Sequence, residues 1–240
     1  MGNEIVLIGF YLLTLIYSVI IHEVAHGVMA LWLGDLTAKY ADRINLNPMK
    51  HIDPFGSIIL PILLVISMGF AFGWAKPVPY NPYNLRNQKW GPTLVALAGP
   101  GSNFLFAFIA ALIAKLLPLT LLVKMDIIER FIGIISGRGD FIERFDLFAD
   151  ALAGSLPSIV FGLLLLIIFW NVVLACFNLL PIPPLDGSKL LYALVPLSER
   201  TIFLLEQYSL FLLIGVIFLL SAPISIFINF VLSVFLRFAL

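Results

Sequence analysis

The chain alternates between long apolar runs and short polar breaks, and the first run sets the pattern. From Ile5 it carries no formal charge until Glu23, and it stays apolar to Leu33. That length predicts one helix over 4–34, with Gly34 as its C-cap. At about 1.5 Å per residue it would measure about 46 Å, against a hydrocarbon core of about 30 Å. Similar runs predict helices over 92–117, 158–180, 201–220 and 223–239, the last two joined by a turn at Ala222-Pro223. Ser57–Phe72 is shorter and contains Pro61, so it is expected to re-enter rather than cross. Residues 35–54 are mixed in charge, and Thr37–Leu46 has a weak strand character. Gly73–Pro82 holds closely spaced prolines that enforce an extended backbone. Residues 118–157 are amphipathic in two parts and are expected at the membrane interface. The fold class is therefore an all-α polytopic membrane protein. It has about five transmembrane helices, a re-entrant segment and a short β-like edge. Residues 1–240 read as a single domain ending in a helical hairpin over 200–240.

Composition agrees. Hydrophobic residues make up 61% of the chain and charged residues 12%, with a mean hydropathy of +1.07. Soluble domains have about 45–50% apolar and about 25% charged residues. The net charge of zero gives no reason to expect nucleic acid. A lone cysteine, Cys176, excludes an intramolecular disulfide and reads as a packing residue. The first apolar run has no small-residue cleavage site, so it is not read as a signal peptide.

Against this background, His22-Glu23-Val24-Ala25-His26 stands out, because imidazole and carboxylate are costly in hydrocarbon. Positions i and i+4 share a helix face, so His22 and His26 can offer nitrogens to one ion, with Glu23 beside it to hold a water. A hydrolytic zinc site commonly takes three protein ligands. The best third candidate is Asp186, which follows a span within Pro181-Ile182-Pro183-Pro184-Leu185-Asp186-Gly187. The competing role for Asp186 is that of a helix cap at the interface. A divalent ion with Asp186 and Glu23 sums to about zero charge, which makes the set cheaper to bury than its parts.

These residues resemble the site-2 proteases, the intramembrane zinc metalloproteases, in a short form without a PDZ domain. The likeness rests on His22–Gly27, Asn47-Pro48, His51–Gly56, Gly73–Asn81, Ala98-Gly99-Pro100 with Asn103, and Phe177–Pro181 running to Leu185-Asp186-Gly187. It implies a catalytic core over about 4–195 and one zinc ion held by His22, His26 and Asp186. Glu23 would be the catalytic base, and Asn178 would bind the substrate strand or stabilise charge. It also implies membrane-embedded, single-pass protein substrates, and the compact form points to a bacterial or archaeal cytoplasmic membrane. The insertion 118–157 and the last two spans lie outside the likeness; a homodimer through the insertion stays open.

A transmembrane helix resists proteolysis while its backbone is paired, so a substrate must be held extended, most simply by strand addition. The candidate edges are Thr37–Leu46 and Trp74–Asn81. His51 and Asp53 read as loop-fixing residues, and Asn171 as an interhelical hydrogen-bonding group. The motif and Asp186 must share one depth. That places Lys39, Arg43, Lys50, Lys76, Arg86, Lys89, Lys189, Arg200 and Arg237 on their side, against Lys115, Lys124, Arg130, Arg138 and Arg144. The bias puts the site towards the cytoplasm. Two other functions compete: a metal-ion transporter, and a catalytically inactive scaffold that binds membrane proteins. The lack of repeats and of a continuous polar path counts against the first, and the intact ligand set against the second.

Overall fold

The computed structural model describes residues 2–59, 62–63, 66, 73, 75–136 and 141–240. Its helices are α1 (Gly2–Trp32), a single turn α2 (Thr37–Tyr40), α3 (Gly91–Leu116), α4 (Leu121–Ile135), α5 (Phe141–Leu152), α6 (Leu156–Asn178), α7 (Gly187–Leu194), α8 (Glu199–Gln207) and α9 (Ser209–Ala239). Among the described residues there is no strand. Among the described residues, four stretches are long and apolar enough to cross a membrane: Val6–Trp32, Gly91–Leu116, Leu156–Asn178 and Ser209–Ala239. The re-entrant segment expected over 57–72 lies largely outside the described residues. The chain forms two compact units.

The first unit comprises Met1–Ser18, Asn103–Phe177 and Leu220–Leu240. Its core is apolar, with Ile127 and Phe131 of α4, Phe148 of α5, and Phe161, Leu165 and Ile168 of α6 all fully buried. The apolar faces of the insertion are thus turned into protein. Lys124 is buried too, and its Nζ donates to the Ala114 and Lys115 carbonyls at the end of α3, at 3.0 and 2.8 Å. A cation there satisfies two otherwise open carbonyls and suits the negative end of the helix. Burial, and then Lys115, push its pKa below the usual lysine value. Asn103 Nδ2 donates to Asn171 Oδ1 at 2.8 Å and to the Ser18 carbonyl at 3.1 Å, while Asn171 Nδ2 donates to Ser18 Oγ at 2.9 Å. Asn171 is the interhelical group its position suggested.

In the C-terminal region the backbone breaks close to the turn expected at Ala222-Pro223. Within Ser209–Ala239, which contains Pro223, two helices meet across a kink with non-helical backbone at Leu220 (φ −116°, ψ 18°). A proline ring clashes with the carbonyl four residues back, so Pro223 disturbs the helix near Leu220. Beyond the kink, Phe235 and Phe238 stack on Phe104 and Phe108 of α3, at 6.2 and 5.5 Å between centroids.

The second unit comprises Val19–Ser102 and Asn178–Leu219. Its described buried cluster is small, Ala30, Leu85 and Val95, and polar ties do much of the holding. Gly34 closes α1 with φ 108°, the left-handed value of a C-cap glycine. Asp35 follows, fully buried. Its Oδ1 accepts from Thr37 N (3.2 Å), Thr37 Oγ1 (2.6 Å) and Asn84 Nδ2 (2.9 Å), and its Oδ2 from Asn81 N (2.7 Å). The bonds to Thr37 wind the chain into α2, so the β-like edge expected over Thr37–Leu46 is not formed, and Asp42 with φ 52° bends it again. The proline-rich stretch, by contrast, forms no helix or turn over 75–81; prolines and the residues before them favour extended backbone, and Asn81 is extended. Lys76 N donates to the His51 carbonyl at 2.9 Å, and Arg43 Nη2 donates to the Lys76 carbonyl. His51 Nε2 donates to the Asn45 carbonyl at 2.8 Å and Asp53 Oδ1 accepts from Gly56 N at 2.6 Å, so both fix loops.

Burial acts to raise the Asp35 pKa, but the bonds from Thr37, Asn84 and Asn81 outweigh it and hold the carboxyl below its usual value. Asp35→Asn puts an NH2 against donors and should cost about 1–3 kcal/mol. The folded pKa lies below the unfolded one, so Asp35's contribution is complete above about pH 3.9 and is lost as pH falls through the lower folded value. Thermal unfolding in detergent should therefore show a gap between native and variant at neutral pH that closes in acid.

Candidate metal centre

One turn of α1 supplies three of the site's side chains. His22 and His26 stand edge to face, with ring centroids 4.7 Å apart. Glu23 lies beside them, and its Oε2 accepts from the backbone N–H of Val78 at 2.9 Å. That bond attaches the 75–81 stretch to the motif.

Asp186 arrives from the other end of the sequence. It occupies the N-cap position of α7 in helical geometry, yet its side chain makes no capping bond. Its Oδ2 lies 3.0 Å from His22 Nε2 and 3.4 Å from His26 Nε2. Gly187 makes this position reachable, because a Cβ there would collide with the Leu179 and Leu180 carbonyls. The requirement is close backbone approach, which only a residue without a side chain permits.

α3 completes the wall. His26 Nδ1–H donates to the Val95 carbonyl at 2.7 Å, which leaves the Nε2 lone pair facing Asp186. Gly99, one turn on, lies against both rings: a Cβ there would sit 2.5 Å from His26 Cε1 and 2.6 Å from His22 Cε1.

The donor set fits a metal ion. The three ligand atoms of His22, His26 and Asp186 lie within 4.8 Å of one another. Asp186 Oδ2 is buried and accepts no hydrogen bond, despite two imidazole nitrogens close by. An orphaned buried carboxylate oxygen facing a nitrogen lone pair is unfavourable unless a cation lies among them. Two neutral imidazoles and one carboxylate form a set that suits zinc.

Asn178 is half-buried and is the last residue of α6; its part in the site rests on the resemblance alone. Neither Asp35 nor the Val95 carbonyl stands out in the sequence as part of this arrangement. Asp35 had one signal, as the first charged residue after the motif, directly beyond the C-cap glycine. The Val95 carbonyl had none, being 69 positions from His26.

Comparison with known proteins agrees with this geometry. Residues 10–222 match peptidase family M50. The chain is 34% identical over 194 residues to the protein named "Putative zinc metalloprotease YwhC" of Bacillus subtilis (strain 168), covering 81% of this chain and 73% of that protein. It is 28% identical over 103 residues to "Putative zinc metalloprotease Rip2" of Mycolicibacterium smegmatis (strain ATCC 700084 / mc(2)155), covering 42% and 39%. No solved structure gives a significant match.

Gly99→Ala should press a methyl group into both imidazoles and lower zinc affinity about 10–100-fold. Competition against a chromogenic chelator measures that loss, and an unchanged helical circular dichroism spectrum would show the fold intact.

Proposed function

The chain belongs to peptidase family M50, and on that premise we propose that it is an intramembrane zinc metalloprotease of the site-2 type. The observation that carries this reading is the meeting of His22, His26 and Asp186 around an orphaned carboxylate oxygen, with Glu23 beside them. In this reading the three hold one zinc ion, which when bound lowers the pKa of a water towards about 7 and polarises a carbonyl. Glu23 is the general base. Its Oε2 is steadied by the Val78 N–H, so Oε1 takes the proton of the attacking water and returns it to the leaving amine. The Asn178 side-chain amide is assigned to the charge that builds on the carbonyl oxygen, or to the substrate strand.

The substrates are single-pass membrane proteins unwound near the cut. The 75–81 stretch, whose prolines favour extended backbone and which is bonded to Glu23, supports that choice, since a peptide laid along it arrives at the base already extended. The four apolar helices support a multi-pass place in the membrane; we place the protein in a bacterial or archaeal cytoplasmic membrane with the site towards the cytoplasm, from the distribution of Lys and Arg. A transport site for metal ions would give the held Glu23 carboxylate no task.

Glu23→Gln should bind one zinc ion per chain as the native protein does, and lose cleavage of a model single-pass substrate by about 10²–10⁴-fold. Asp186→Ala should lose both. Metal analysis beside gel-based cleavage in detergent reads the two effects separately. Native cleavage by Glu23→Gln would refute the base assignment, and zinc flux into liposomes by both forms would favour transport.

A further inference from the structure

A cavity of about 340 Å³ lies within the second unit, lined in part by residues close in sequence to those that hold the metal centre. Tyr80 is two residues along the proline-rich stretch from Val78, whose N–H holds Glu23. Thr93 is two residues before Val95, whose carbonyl holds His26, and its Oγ1 donates to the Lys189 carbonyl at 3.1 Å. Lys189 is three residues after Asp186, and its N–H donates to the Asp186 carbonyl at 3.0 Å. An extended peptide repeats its side-chain direction every two residues, about 6.6 Å. Tyr80 is two residues from Val78, so a chain laid along Val78–Tyr80 with its scissile bond at Glu23 would bring a side chain two residues away towards Tyr80.

The lining has a definite chemistry. Lys189 and Lys89 supply two cations and Glu206 one anion. Lys189 Nζ is 2.6 Å from Glu206 Oε1 and 5.2 Å above the Tyr192 ring. The ion pair is partly exposed, at 35% and 48% of its side chains, so an entering carboxylate can reach it. The Tyr192 hydroxyl is buried without a hydrogen-bond partner. Burial, and then the carboxylates of Asp186 and Glu206, hold the Tyr80 phenol above its usual pKa.

We propose that this cavity is the subsite for an acidic side chain of the substrate, two residues from the bond cut, with Lys189, Lys89 and the Tyr192 hydroxyl as its recognition groups. The proposal rests on the protease reading above and adds a sequence preference to it. The entering carboxylate shares Lys189 with Glu206 and accepts from Tyr192, while a basic side chain meets two like charges.

The test uses the full chain loaded with zinc in detergent. The probes are four peptide hydroxamates, identical except for Glu, Gln, Leu or Lys at the second residue from the hydroxamate. Calorimetric titration should show the Glu peptide binding about five- to tenfold tighter than the Leu peptide, with the Lys peptide weakest. Lys189→Met should remove the advantage, and Glu206→Gln should enlarge it by freeing the lysine. Equal affinities, a preference for Leu or Lys, or an advantage that neither variant changes would overturn the subsite while leaving the protease reading intact. Failure of every hydroxamate to bind a zinc-loaded chain would overturn both. Should Lys189→Met not fold, the direction of change in Glu206→Gln decides.

Discussion

The constraint on which this structure depends is the cost of burying the Asp186 carboxylate beside two imidazoles in a chain that is otherwise apolar. None of the three groups is stable there alone. Together they leave one oxygen of Asp186 buried and without a hydrogen bond, an arrangement that a divalent cation relieves. The neighbouring sequence follows from meeting this requirement. Gly99 has no side chain because the rings occupy that space, and Gly187 has none because the turn that delivers Asp186 passes against the Leu179 and Leu180 carbonyls. Val95 lends a carbonyl that fixes which nitrogen of His26 faces the centre. Substitutions at these positions act on the metal through geometry, without removing a ligand.

The two units are built on different physics. The first is a conventional apolar core in which aromatic side chains of α4, α5 and α6 fill the interior, with one polar cluster of Ser18, Asn103 and Asn171 satisfied internally. The second has a small described apolar cluster and relies on buried polar residues, Asp35, Arg43 and His51, each bonded to backbone. Such groups hold loops that carry no regular hydrogen-bond ladder. They are also sensitive to single substitutions, because each broken bond leaves a buried group unsatisfied.

The meeting of His22, His26 and Asp186 was legible because the signals are local and chemical. A pair of histidines four apart, with a glutamate between them, marks one face of a helix, and a carboxylate within a run of prolines marks a backbone break. The first helix and its Gly34 cap were legible from the length of an apolar run. Where the sequence misled, a distant partner decided. Thr37–Leu46 reads as a strand by composition, but Asp35, itself tied to Asn81 and Asn84, winds Thr37 into a helical turn. At Ala222-Pro223, which reads as a turn between spans, two helices meet across a kink with non-helical backbone at Leu220. Gly187, which the sequence shows only as the residue after Asp186, serves close backbone approach.

The proline-rich stretch has a polarity that its composition conceals until its bonds are traced. Pro77, Pro79 and Pro82 have no N–H to offer. The donors between them are turned to the protein at alternate positions, Lys76 to the His51 carbonyl and Val78 to Glu23, and Asn81 is held by Asp35. A peptide that pairs with the opposite edge meets Pro77 and Pro79, which present carbonyls alone. Such an edge offers no N–H to a second copy of itself, and its Pro77 carbonyl already accepts from Arg43 Nη2 at 3.4 Å. The same prolines that make the stretch a poor β-strand thus favour an extended backbone and leave the central Val78 N–H to hold Glu23.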